Sequence, residues 1–378
     1  MNSMTLDTII ADRIRAAGKI TFADYMATCL YEPGLGYYTS PGRKVGTEGD
    51  FYTSITVHAT FGRVIAREIA AMWRSMGCPA VFTLVEAGAG HGRLACDIMD
   101  FLAEQQPDCY AATKLVLVEQ EPSLAEAQAA LLARHAAKLS WLSPAELPNF
   151  RFSGVLYSNE LLDAMPVHRV LMTPQGLKEI YVALDGDQFQ DQADTPSTAA
   201  LEAYLERFGI PLHPGQEAEV SLSGLAWFEN VAECLQQGFI LTIDYGWAKA
   251  ELYAPQRNLG TLLCYYKHTV EDNPYQRLGQ QDITTHINFS ALIERGEELG
   301  LKPLWFGEQS RFLLSAGVIE ELEQIEASDL PEKDKLRLRL IIKRLIMPEG
   351  GMGDTFRVLV QSKGVADPRL GCLRGISL

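Results

Sequence analysis

The chain has 378 residues, 47% of them hydrophobic and 21% charged, enough to bury the core of one large domain or of two. Its formal net charge of -15 excludes the cationic surface that a nucleic-acid binder needs, so no nucleic-acid partner is expected. The seven cysteines, Cys29, Cys78, Cys96, Cys109, Cys234, Cys264 and Cys372, include no Cys-x-x-Cys pair, which predicts reduced thiols and no zinc site. The seven histidines have no His-Glu-x-x-His spacing, and no metal is expected. The opening "MNSMTLDTIIADRIRAAG" is amphipathic and carries acids, unlike a signal or transit peptide. No stretch reaches the roughly 18 apolar residues of a membrane span. The expectation is a cytoplasmic protein without membrane insertion.

Residues 5–31 read as two short helices, the second capped by Thr21 with Asp24 three residues on. A long Gly/Pro/Tyr loop follows over 31–54, then helical spacing over 57–76. Strands alternate with helices from there: "VFTLVEAG" (81–88), a helix over 92–105, "KLVLVEQ" (114–120), an alanine-rich helix over 122–138, "LSWL" (139–142) and "GVLYSNE" (154–160). That alternation predicts an α/β fold on a parallel sheet. Residues 168–230 interrupt it with two hairpin strands and two helices, and are expected to form an insertion serving as a substrate lid. "GFILTIDYG" (238–246) returns to the sheet, residues 247–289 form a loop-rich insertion, helices follow near 290–299, 318–327 and 332–346, and "FRVLVQSK" (356–363) closes the sheet. The division is thus 1–56 for N-terminal helices and loop, 57–167 and 231–378 for two halves of a cofactor-binding core, and 168–230 for the lid.

The loop in "LVEAGAGHGRLACDIM" carries Gly88, Gly90 and Gly92, spaced G-x-G-x-G rather than the G-x-G-x-x-G of a dinucleotide fingerprint. Glu119 ends the second strand, where an acid binds ribose hydroxyls of any adenosine cofactor. Glu86 precedes Gly88 by two residues, and a carboxylate there faces a pyrophosphate badly. It suits a cationic, phosphate-free cofactor such as S-adenosylmethionine, with the glycines allowing close backbone approach. After the fourth strand, "SNELLDAMPVHR" brings Asn159, Glu160 and Asp163 to the rim where α/β sheets bind ligands. Asp244 ends another strand in "TIDYG". Asp50 in "GDFYTS" and His286 in "DITTHINF" are further candidates, His286 also reading as a structural histidine.

"GDFYTS", "VEAGAGHGRLACDIM", "SNELLDAMPVHR", "TIDYG", "DITTHINF" and "MPEGGMGDTFRVL" occur in the order seen in the MidA-like family, and the chain resembles that family over about residues 7–363. It departs at Ile55 and Thr56, where the family usually has a proline and an acid. The resemblance implies a Rossmann-like class I methyltransferase sheet with N-terminal helices and two large insertions, and S-adenosyl-L-methionine as cofactor. Its mitochondrial member is a protein arginine methyltransferase of complex I assembly, so the resemblance implies a protein substrate with a target arginine. On this reading Glu160, then Asp163, then Asp244 grip the acceptor, with His286 in the pocket. Glu86, Gly88, Gly90, Gly92, Glu119, Asn159 and Asp50 serve the cofactor. A small-molecule O- or N-methyltransferase, a cofactor-binding assembly factor without turnover and a nicotinamide oxidoreductase are the alternatives, and the apolar N-terminal helices leave room for a homodimer.

Overall fold

The computed structural model describes residues 5–40, 59–267, 269–347 and 353–374. The chain forms two compact units. One draws on Met1–Tyr52, Leu162–Phe228 and Gly246–Glu294, the other on Thr53–Leu161, Glu229–Tyr245 and Arg295–Leu378.

The second unit holds the α/β sheet. Its strands are β1 (Phe82–Ala87), β2 (Thr113–Val118), β3 (Leu139–Leu142), β4 (Phe152–Asn159), β5 (Leu235–Trp247), β6 (Lys302–Glu308) and β7 (Phe356–Lys363). Across the sheet they run β3-β2-β1-β4-β5-β7-β6. The first five are mutually parallel, and β7 is antiparallel to both of its neighbours. The inner strands β1, β2, β4, β5 and β7 form where apolar runs are short and bounded by turns, as mostly buried strands require. Helix α1 (Thr60–Ser75) precedes β1, α2 (Arg93–Gln105) lies between β1 and β2, and α3 (Leu124–Leu131) between β2 and β3 in sequence. Phe61, Ile65 and Ile69 of α1 and Ile98 of α2 share one core with Leu84, Leu117, Tyr157, Leu241 and Val358 of the strands. From β1 the order runs outward one way to β3 and, from β4, the other way to β5. The two runs part between β1 and β4, the switch point where such sheets open a crevice at their carboxyl ends.

The first unit contains the helices Leu6–Ala17 and Phe22–Tyr31. Thr21 caps the second as its composition predicts: its Oγ1 accepts the Asp24 N–H at 3.0 Å and donates to the Asp24 carboxylate at 2.7 Å. The strands His168–Thr173 and Gly176–Asp185 make the expected hairpin, with Met172 opposite Leu177. Gly176–Asp185 pairs on its other edge with Gln188–Asp194. Two apolar clusters fill this unit, one around Phe22, Tyr25 and Met26, the other around Tyr204, Phe208 and Leu252.

Several segments differ from expectation. The alanine-rich stretch is helical only over Leu124–Leu131 and continues as a 3-10 turn over Ala133–Lys138. The loop-rich 247–289 region contains strands Leu263–Tyr266, Thr269–Glu271 and Asp282–Thr284. Strand β6 and the helix Gln309–Ala316 that follows it are additional elements. Asp50 and the rest of "GDFYTS" lie outside the described residues.

Candidate active site

Strand β1 ends in Ala87 and turns through Gly88, Gly90 and Gly92 at φ of 71°, 51° and 77°. These left-handed values are what glycine adopts without strain. Gly92 caps α2, so the loop delivers the chain onto the N-terminus of that helix. A methyl group at Gly90 would meet nothing within 4 Å, whereas one at Gly88 would come within 2.8 Å of the Leu161 side chain.

Two side chains fix the peptide of Gly90 from opposite ends. Glu119, directly after β2, accepts the Gly90 N–H at 2.9 Å through Oε2, and through Oε1 accepts the N–H groups of Gln120 at 2.9 Å and Glu121 at 3.1 Å. Burial pushes the Glu119 carboxyl above its ordinary range, and these three donors pull it back. The Gly90 carbonyl accepts from Gln128 Nε2 at 2.6 Å, and Gln128 Oε1 accepts the Trp141 indole N–H at 2.8 Å. Gln128 is completely buried. Sequence reasoning missed Gln128 and Trp141; a lone glutamine inside "AEAQAALL" was the one signal available.

Glu86, the fifth residue of β1, is buried and accepts a hydrogen bond from the Tyr157 hydroxyl at 3.1 Å. Tyr157 lies directly opposite it on β4. Burial pushes the Glu86 carboxyl up to about 8, against the bonds from Tyr157 and from the Ala95 N–H in the first turn of α2.

The next group sits where β4 and β5 end side by side, Asn159 paired with Ile243. Asn159 Nδ2 donates to Glu160 Oε1 at 3.0 Å. Asn159 Oδ1 is buried and accepts nothing from the described residues, leaving an acceptor for an added donor. Glu160 has φ 51°, rare for a non-glycine residue, and its N–H is held by the Ile243 carbonyl at 3.0 Å. Asp244 is fully buried and accepts the N–H of Leu161 at 3.1 Å and of Tyr245 at 2.9 Å. It therefore ties the turn after β4 to the end of β5.

The second unit thus brings together Glu86, the three glycines, Glu119, Asn159, Glu160 and Asp244. Asp163 and His286 fall in the first unit. There the Asp163 carbonyl accepts the Thr285 N–H at 3.0 Å. His286 Nδ1 accepts the Trp247 indole N–H at 3.0 Å, and its backbone N–H donates to Thr261 Oγ1 at 3.0 Å. With Nδ1 an acceptor, a neutral His286 carries its proton on Nε2. The ring borders a cavity lined also by Leu162, Tyr204, Ser221 and Asn288.

The glycine loop, held by the Glu119 carboxylate, and the open acceptor at Asn159 suit a ligand that donates hydrogen bonds. Comparison with known proteins agrees. Residues 64–307 match the family model of S-adenosyl-L-methionine-dependent methyltransferases. A crystal structure of a COG1565 superfamily member from Burkholderia thailandensis, bound to S-adenosylhomocysteine, superposes with a TM-score of 0.88 at 33% identity, covering 98% of this chain and 95% of that one. The protein arginine methyltransferase NDUFAF7 homolog, mitochondrial, of Drosophila melanogaster is 28% identical over 93% of this chain and 84% of its own. The human protein arginine methyltransferase NDUFAF7, mitochondrial, is 28% identical over 81% of this chain and 72% of its own. The chain belongs to this family of S-adenosyl-L-methionine-dependent methyltransferases, and the nicotinamide reading is set aside. One expectation is corrected: the relatives are mitochondrial proteins by name, which overturns the cytoplasmic assignment drawn from the N-terminal composition. Composition near a terminus reports a leader's chemistry, not a protein's destination.

Proposed function

We propose that this methyltransferase modifies an arginine of a partner protein, by resemblance a subunit of a complex I-type enzyme. The relatives' names support a protein acceptor. The observation that carries the reading is the Asn159–Glu160 pair at the end of β4, with Glu160 in a left-handed conformation braced by the Ile243 carbonyl. Non-glycine residues keep such a conformation where the surroundings over-determine it, often at working sites.

S-adenosylmethionine supplies an electrophilic methyl group when bound. This chain's residues must hold the acceptor nitrogen within roughly 3–3.5 Å of it, in line, and keep water away. Glu119 and the Gly88–Gly92 loop would hold the cofactor's nucleoside, and Asn159 Oδ1 would accept a donor from the same ligand. Glu86 braces the first turn of α2, which the loop leads into. Glu160 grips the guanidinium by charge-assisted hydrogen bonds, localising a lone pair on the terminal nitrogen and taking up its developing charge. Asp244 acts through the turn it holds.

Glu160→Gln should lower methyl transfer into protein by about 10²–10³-fold. S-adenosylhomocysteine affinity, read by calorimetry, should stay within severalfold. Full activity in that variant removes Glu160 from the mechanism. Radiolabel from the wild type that appears in metabolites and never in protein assigns a small-molecule acceptor instead.

A further inference from the structure

The helix Glu332–Ile346, in the second unit, carries six basic residues against two acidic ones, a net of +4 in a chain whose total is -15. Its inner side is accounted for. Ile342 and Leu345 are buried in the core of the unit, Arg339 pairs with Glu326, and Lys335 donates to the Glu326 carbonyl at 2.9 Å. Its outer side is unusual. Lys333, Leu336, Arg337, Leu340, Lys343, Arg344 and the following Met347 are all exposed. At 100° per residue they fall within a roughly 120° arc. Leu336 is 52% exposed, Leu340 58% and Met347 40%. Leucines interleaved with cations on one face are not what a solvated surface needs, since a polar face carries no apolar stripe.

We propose that this face is a docking surface for an anionic lipid bilayer, with the helix lying flat in the interface. Charge complementarity selects the occupant. The cations are concentrated on this one face of an acidic protein, so a negative surface is attracted here and repelled by the protein's overall charge. A lipid surface also uses both residue types at once: leucines enter the acyl boundary while lysine and arginine stems reach back to headgroup phosphates. An acidic polypeptide would need carboxylates matched to each cation and would leave the leucines without purpose. No described helix is long and apolar enough to cross a membrane, so the contact is peripheral.

The test is flotation of the full-length protein with vesicles of equimolar phosphatidylglycerol and phosphatidylcholine, and with vesicles of phosphatidylcholine alone. The wild type should float with the anionic vesicles only and detach as salt is raised. Lys333→Gln/Arg337→Gln and Leu336→Ser/Leu340→Ser should each lower partitioning about tenfold or more. All four side chains concerned lie on solvent, so thermal unfolding and methyl transfer should be unchanged. Equal flotation on both vesicle types, no flotation, or flotation indifferent to the substitutions overturns the proposal. Capture of the helix by polyglutamate, with no vesicle binding, overturns it as well and assigns the face to an acidic protein.

Discussion

Glu86 lies beneath the glycine loop, bonded to Tyr157 and the first turn of α2. Because burial holds its carboxyl at about 8, the folded chain binds this proton more tightly than the unfolded chain does near 4.5. Its contribution to stability is complete below about 4.5 and is lost as the pH rises to about 8. Glu86→Gln retains an acceptor for the Tyr157 hydroxyl and cannot ionise. The variant should therefore gain stability relative to the wild type steadily across that window, measured by denaturant unfolding at a series of pH values. A difference that stays flat with pH rejects the assignment. Gln128 makes a second prediction at this scale. Gln128→Ala strands the Gly90 carbonyl and the Trp141 indole, a loss of about 1–3 kcal/mol, and should weaken S-adenosylhomocysteine binding by loosening Gly90. Unaltered stability and affinity would show that the clamp is dispensable. Glu86 and Glu119 could be found from their positions beside apolar runs. Gln128 could not, because its bond to Gly90 joins residues 38 apart in sequence and its own surroundings read as an ordinary helix.

Among elements, the glycine loop separates folding from binding. Gly90 adopts φ 51° with open space around its Cα, so Gly90→Ala meets only the left-handed penalty of about 1–2 kcal/mol. The added methyl occupies the space offered to the cofactor, and affinity for S-adenosylhomocysteine should fall about tenfold or more while the fold persists. A variant that binds normally would place the cofactor elsewhere. The same element was the most readable part of the chain, since an apolar strand, three glycines and a helix make a local pattern. Strands β1, β2, β4, β5 and β7 were equally plain because the apolar run of each is buried. Strand β6, "KPLWFGE", escaped notice: it is the edge of the sheet, half-buried throughout, and contains Pro303 and Gly307. Gln188–Asp194, "QFQDQAD", escaped for a related reason. It is a mostly exposed strand whose pairing with Gly176–Asp185 supplies what its composition lacks.

For the whole molecule, strand order decides where the site can be. Chain reversal between β1 and β4 sets the carboxyl ends of β1, β2, β4 and β5 along one rim, and Glu86, Gly88, Glu119, Asn159 and Asp244 arrive there from segments spread over some 160 residues. Each of the two units has its own apolar core, and these cofactor-side residues all belong to one of them. Ligand linkage should respect that division. S-adenosylhomocysteine at about 100 times its Kd should stabilise the protein by about 2.7 kcal/mol, and NADH at the same concentration should not. Amide exchange should slow over 86–93, 119–121 and 159–161, the segments whose backbone groups surround the loop. Protection by NADH, or protection confined to the first unit, would mean that the glycine loop binds a different ligand or none.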